Sequence, residues 1–458
     1  MYNSTKSSVK IEEQNIQLGS SHILKSNQVK PFDRIDFMIK NMKDNFAFKS
    51  YLINNNVQKD YKKILSDFQK RYKEYRSKWH DEANKQYASK IDFLNDTSTL
   101  SNPLCIDIEV AAICDLGCPH CFREHIITPD KIMSENLFKK IIDSISKLDV
   151  PSIKLNWRGE PLLNPKLSKF IKYAKTKNIL DIIINTNATR LDEKTSISLI
   201  NSGLDQIIFS FDGGTEETYN KMRPGRFREN NFKIVYSNIK KFAEIKKKLN
   251  TKFPTTKIQM VLTKDTRDEI NNFYSLFQDI VDDVTVLQYN ERGGTISSLN
   301  DSNKKKINDY LNFNQLPLDT PYMVTADNKI YVSSKRKPCE QLFQRLMITY
   351  DGRVGMCCHD WGAQHCIGYV DNEGFKDEKE IDKIEEAIIS RKKGFELLKN
   401  ATRPKSLNNP EKKVESIESI WHGKELNKIR NLHSEKKLND IEVCKDCTFK
   451  DTYSWTKI

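Results

Sequence analysis

Between Ser101 and Gly294, short apolar runs alternate with amphipathic stretches in a regular beat. The strand candidates are Ile106–Val110, Ile153–Trp157, Ile182–Asn185, Gln206–Phe211, Lys257–Leu262 and Val284–Gln288. Between them, stretches such as Leu137–Leu148 and Lys166–Lys175 repeat apolar residues at helical spacing. Strands alternating with helices predict an α/β fold with a parallel sheet. Six such units are too few to close an eight-stranded barrel, so a partial barrel is expected.

The flanks follow other patterns. Residues 1–55 read as irregular or weakly helical. From about Tyr61 to Leu94, the residues Phe68, Tyr72, Tyr75, Trp79, Ala83, Tyr87 and Ile91 recur every three or four positions. That spacing predicts one long amphipathic helix whose aromatic stripe docks on the parent domain. Beyond Gly294 the alternation stops. The expected organisation is a helical extension over 1–100, a partial barrel over 101–310 and a smaller cysteine-bearing domain over 311–458. A Lys/Glu-rich insertion at about 372–414, helical over Asp377–Leu398, interrupts the last.

Composition narrows the classes. The chain has 458 residues, 38% of them apolar, which allows two or three domains with a sizeable core. Its net charge of +13 is mostly lysine spread along the sequence, the mark of a solvated surface rather than a nucleic-acid stripe. The N-terminus lacks the apolar core of a signal peptide, and no run of about 18 apolar residues is present, so no membrane partner is expected. Ten cysteines in such a chain read as metal ligands in a reducing cytoplasm rather than as a disulfide framework.

Three of those cysteines stand in Ile113-Cys-Asp-Leu-Gly-Cys-Pro-His-Cys-Phe122, directly after the first strand. The C-x3-C-x2-C spacing of Cys114, Cys118 and Cys121 supplies three thiolates where a cubane iron–sulfur cluster takes four ligands. One iron would stay open to bind and reduce a small molecule. A loop at the C-terminal end of a strand is where α/β folds place their chemistry. Two other readings compete. Structural zinc would need a fourth ligand, with His120 and His125 nearby, but this is not a usual zinc spacing. A thiol–disulfide oxidant would use Cys118-Pro-His-Cys121 and leave Cys114 surplus.

The triplet and the strand ends that follow it resemble the radical S-adenosylmethionine enzymes. That resemblance implies a (β/α)6 partial barrel and a [4Fe-4S] cluster whose open iron chelates S-adenosylmethionine. Trp157-Arg-Gly-Glu-Pro161 resembles the family's Gly-Gly-Glu motif, with Arg158 in place of the first glycine. It implies that Gly159 permits close backbone approach and that Glu160 engages the ammonium group. Asn187 falls where a ribose hydroxyl is bonded. Ser210, Asp212 and Arg223 fall where the family reaches the ribose and the carboxylate, and His120 stands at a base-stacking position.

A second set follows. The spacing Cys339-x12-Gly352-x4-Cys357, then Cys444-Lys-Asp-Cys447, is similar to the SPASM and twitch domains that carry auxiliary clusters in the same enzymes. Ile367–Val370, Ser416–Trp421 and Tyr453–Trp455 add to the likeness. One auxiliary [4Fe-4S] cluster, fully ligated by Cys339, Cys357, Cys444 and Cys447, is implied. A four-cysteine zinc knuckle is the competing reading, and Cys358 beside Cys357 leaves the second ligand open.

A radical generator beside a closed cluster favours net oxidation of a small sugar-like or aminocyclitol-like substrate. Glu291 and Arg292, after the sixth strand, are the candidates for handling the departing proton. A reductant such as flavodoxin or ferredoxin is the implied electron donor. The alternatives are a peptide maturase, which crosslinks or epimerises a ribosomal peptide, and a non-catalytic electron-transfer protein.

Overall fold

Six strands run parallel and in chain order: β1 (Cys105–Ile108), β2 (Ser152–Lys154), β3 (Asp181–Thr186), β4 (Gln206–Ser210), β5 (Thr255–Leu262) and β6 (Asp283–Gln288). Each falls on one of the apolar runs expected from the sequence. They come from a computed structural model that describes residues 32–458, apart from 58, 122, 124–129, 291–298, 319, 326, 361–362, 364, 375–410, 446 and 448. The proposed insertion helix Asp377–Leu398 therefore lies outside the described residues.

Helices cross between the strands. The first, Glu135–Lys147, starts where Ser134 accepts a hydrogen bond from the Leu137 amide. It buries Leu137, Phe138, Ile141, Ile142 and Ile145 on one face. Phe138 stacks on Phe170 of the next crossover helix, Leu167–Thr176, with centroids 4.1 Å apart. β-Branched runs such as Ile182–Ile184 suit strands that are covered on both faces.

The N-terminal helices α1 (Arg34–Lys40), α2 (Phe46–Asn54) and α3 (Tyr61–Ser89) form a layer at the start of the strands. The first two lie in the stretch expected to be irregular or weakly helical; Asp33 and Asn45 cap them, and each is too short to show a periodic stripe. The stripe on α3 packs inward, with Phe68, Tyr72 and Tyr75 buried against Leu104, Leu180 and Phe253. Those three precede β1, β3 and β5. Arg34 pairs with Asp181 at 2.8 Å and reaches the Tyr72 hydroxyl at 3.2 Å. The N-terminal mouth of the sheet is thus closed.

At the other side of β1, strand β9 (Arg345–Ile348) pairs in parallel, and β10 (Arg353–Gly355) and β11 (Cys366–Tyr369) continue antiparallel. The result is one nine-stranded sheet in the order β11-β10-β9-β1-β2-β3-β4-β5-β6. Gly352 makes the β9–β10 turn possible: its φ of +93° is costly for a side-chain-bearing residue, and an added Cβ would meet Asp371 at 2.8 Å. A separate antiparallel sheet joins β7 (Tyr322–Val324), β8 (Ile330–Arg336) and β12 (Tyr453–Lys457). The residues expected to form a small domain of their own are therefore divided, with one part extending the barrel sheet. Among the described residues, no helix is long and apolar enough to cross a membrane.

Candidate active site

Cys114, Cys118 and Cys121 face one cavity of about 400 Å³ at the C-terminal ends of the strands. His120, Gly159, Glu160, Asn187, Ser210 and Arg223 line the same cavity. Residues separated by more than a hundred positions converge because successive parallel strands all end there. Asp212 is the exception. Its fully buried carboxylate lies behind the wall, bonded to Arg223 Nε at 2.8 Å, the Val261 amide at 2.7 Å and His120 Nε2 at 3.0 Å. Burial opposes its charge, yet Arg223 and His120 hold the carboxyl well below the usual range. The expected contact between Asp212 and the co-substrate is corrected to one of support: it aims Arg223 and His120. Glu291 and Arg292 lie outside the described residues, while Tyr289 and Asn290 just before them are on the cavity wall.

Gly159 permits a close approach, but to the chain itself. A Cβ there would stand 2.4 Å from the carbonyl oxygens of both Ala111 and Ile113. The loop after β2 is thereby pressed beneath the cysteine loop, and the Glu160 amide donates to the Ile113 carbonyl at 2.8 Å. Arg158, standing where glycine was expected, makes a bidentate pair with Glu109 at 2.7 Å on both arms. Both side chains are buried, and Arg158 also lies 4.4 Å from the Trp157 ring centroid. The pair clamps the segment entering the cysteine loop to the segment after β2.

Glu160 accepts from Thr186 Oγ1 and the Asn187 amide at 2.7 Å each, and from the Leu162 amide at 3.0 Å. Burial pushes its carboxyl up to about 7 despite those bonds. Such a group is primed for a cation. The Asn187 amide is held by Asp115 at 2.9 Å and by the Thr189 backbone at 3.0 Å. Asp115 also takes Thr189 Oγ1 and Arg190 Nε, so it organises the strand end from within the cysteine loop.

Burial pushes the Cys114 thiol up to about 12 and raises Cys118 as well. Burial thus outweighs the Arg223 charge beside Cys118, and as thiolates these two cysteines call for the positive charge of bound metal. Among the described residues, no three Cys, His, Asp or Glu side chains are placed to hold a single metal ion. Tetrahedral zinc would draw its sulfurs to within roughly 4 Å of one another. Sets built from cysteine thiols alone are the donor chemistry that an iron–sulfur cluster takes.

The second set has a pocket of its own. Cys339, Cys357, Cys444 and Cys447 line one apolar pocket together with His359 and His433. Cys358 is on the wall of the first cavity, and its thiol lies 3.5 Å from Oε1 of Gln341, which lines the second pocket. The residue in both linings is His359. Residues 357–359 are therefore a common wall. Burial raises Cys339 and Cys357 and pushes Cys444 up to about 12, so these three too call for metal to become thiolates.

Sequence reasoning passed over several cavity groups. Lys154 on β2, Gln259 on β5 and Gln288 on β6 line it, and Arg345 pairs there with Asp107 at 3.1 Å. Alternation along β2 and β5 could have marked Lys154 and Gln259 as inward-facing. Nothing local marks Arg345, because β9 is brought beside β1 from far along the chain.

Comparison with known proteins places two patterns on the chain. The radical SAM superfamily matches residues 108–277, and the iron–sulfur cluster-binding domain called SPASM matches 339–397. A probable GTP 3′,8-cyclase of Methanothermobacter marburgensis is 34% identical over 112 residues, covering 24% of this chain and 36% of that protein. The mycofactocin maturase MftC of Mycolicibacterium smegmatis is 23% identical over 177 residues, covering 39% and 42%. The matches thus span less than half the length of these relatives. Among solved structures, BtrN in complex with AdoMet and 2-DOIA shares 15% identity, with a TM-score of 0.40 over 78% of this chain and 99% of that one. Streptococcus suis SuiB bound to the precursor peptide SuiA shares 14%, with a TM-score of 0.48 over 92% and 83%.

Proposed function

The chain belongs to the radical SAM superfamily and carries a C-terminal SPASM iron–sulfur domain, and from that premise we propose that it oxidises a small, hydroxyl- or amine-rich molecule. It is an enzyme, as its named relatives are, so the electron-carrier alternative drops out. When bound, the first cluster and S-adenosylmethionine supply a hydrogen-abstracting 5′-deoxyadenosyl radical, and the auxiliary cluster supplies a sink for an electron.

The chain's own residues bind and orient. Cys114, Cys118 and Cys121 would hold the first cluster with one iron left open. Glu160 would pair with the co-substrate ammonium, Arg223 with its carboxylate, and Ser210 and Asn187 would meet the ribose. His120, aimed by Asp212, would serve the base. Cys339, Cys357, Cys444 and Cys447 would hold the auxiliary cluster. Lys154, Gln259 and Gln288 offer the rest of the cavity hydrogen bonds suited to a polar small molecule.

The observation that carries this reading is the common wall at residues 357–359. It sets the cavity where hydrogen would be abstracted directly against the pocket of the auxiliary ligands. A peptide maturase is the second reading, favoured by the likeness to mycofactocin maturase. Against it, the aromatic stripe of α3 that might have held a leader peptide is buried in the sheet's own closure.

The test is substrate-dependent 5′-deoxyadenosine formation by anaerobic holoprotein given S-adenosylmethionine and dithionite. Amino sugars and aminocyclitols form one panel, and short peptides the other. Stimulation and oxidation of a compound in the first panel supports the proposal. Stimulation by peptides alone overturns it in favour of the maturase.

A further inference from the structure

His433 belongs to neither thiol set, yet it links two members of the second. It sits in the helix Lys424–Ser434 and is 1% exposed. Its Nδ1 lies 3.1 Å from the Cys339 backbone nitrogen, and its Nε2 lies 3.5 Å from Cys444 Sγ. A backbone amide can only donate, so Nδ1 is the acceptor and carries no proton. The proton of the neutral ring is then on Nε2, directed at the cysteine sulfur. A nitrogen carrying that proton is a donor and not a metal ligand. Arg336 adds positive charge on the same side, donating to the carbonyl oxygens of Cys444 and Lys445.

We propose that His433 is a positioning residue for the auxiliary cluster: its Nε2–H hydrogen-bonds the Cys444 thiolate and raises the cluster's reduction potential. A donor on a ligand sulfur stabilises the reduced, more negative cluster more than the oxidised one. The cluster is thereby biased toward accepting an electron from across the wall at 357–359. The inference rests on reading Cys339, Cys357, Cys444 and Cys447 as the cluster's ligands. A purely structural histidine would fill the same space and leave the potential alone.

Redox titration of the holoprotein by electron paramagnetic resonance separates the two. In His433→Phe the auxiliary midpoint should fall by about tenfold in the reduction equilibrium, about 59 mV for one electron. The first cluster's midpoint should not move, and His433→Gln, which keeps an N–H donor, should stay near the unaltered protein. An unchanged auxiliary midpoint in His433→Phe with its cluster intact overturns the proposal. Should that variant lose the cluster, pulsed resonance on unaltered protein with ¹⁵N-histidine decides. A weak, hydrogen-bond-scale coupling to one ring nitrogen supports the role; a ligand-scale coupling, or none, overturns it. Unaltered protein that binds only one cluster would overturn the ligand reading itself, and His433's role with it.

Discussion

The two cysteine sets use the same ligand chemistry in opposite surroundings. Cys114, Cys118 and Cys121 come from one short loop and open onto a polar cavity of about 400 Å³. Cys339, Cys357, Cys444 and Cys447 are gathered from distant segments around an apolar pocket. Three donors facing polar groups leave a corner free for chemistry; four donors facing apolar walls leave none. On the proposed reading, the difference separates a site that acts on molecules from one that handles electrons. Cys357 and Cys358 show the divide at its narrowest, since one lines the apolar pocket and its neighbour the polar cavity.

Ligand replacement should break the comparison most sharply. Cys118→Ser is expected to bring 5′-deoxyadenosine formation down to background. Cys447→Ser is expected to keep that activity while losing one cluster's iron and the oxidised product. Iron analysis with chromatography of both nucleoside and product checks the pair. Equal loss of 5′-deoxyadenosine in both would mean that the sets are not functionally distinct.

Arg158→Met should have the next largest effect. It leaves Glu109 buried and unpaired, which costs about 3–5 kcal/mol, because both side chains are excluded from solvent. Chemical unfolding reads the loss, and the first cluster should become the more labile of the two. Conserved stability would show that the pair is not the clamp of the cysteine loop.

Glu160→Gln removes a charge-assisted contact worth about 1.5–3 kcal/mol, so S-adenosylmethionine should bind roughly ten- to a hundredfold more weakly. Anaerobic calorimetry measures it, with the auxiliary cluster's spectrum as a control that should not change. The smallest effect is that of pH on the unaltered protein. Burial lifts Glu160 to about 7, so the free site is mostly protonated below that value and ionised above it. Pairing with an ammonium requires the ionised form. Affinity should therefore weaken toward tenfold per unit as the pH falls below about 7. A flat profile from pH ~6 to ~8 would remove Glu160 from that role.

The sequence was legible wherever the signal was local. The six strands stood out as apolar runs between helical stretches, and the cysteine triplet, Gly159 and Glu160 stood out by short fixed spacing. What lay beyond reach depended on pairing across the fold. β9 lies beside β1 although about 240 residues separate them, so neither the nine-stranded sheet nor Arg345 in the cavity was readable. Arg158 looked like a departure from a glycine motif until Glu109 supplied its partner. Asp212 was placed at the right strand end but on the wrong side of the wall, because burial behind Arg223 and His120 leaves no mark in sequence. The helices α1 and α2 fall in a stretch that read only as irregular or weakly helical, because each is too short for periodicity to rise above noise.

The most direct test is made on anaerobically reconstituted, unaltered protein, by measuring bound metal and then nucleoside after adding S-adenosylmethionine and dithionite. The account predicts about eight irons per chain, as two four-iron clusters, and accumulation of 5′-deoxyadenosine. Zinc alone at Cys114, Cys118 and Cys121, or fully iron-loaded protein that forms no 5′-deoxyadenosine, would contradict it.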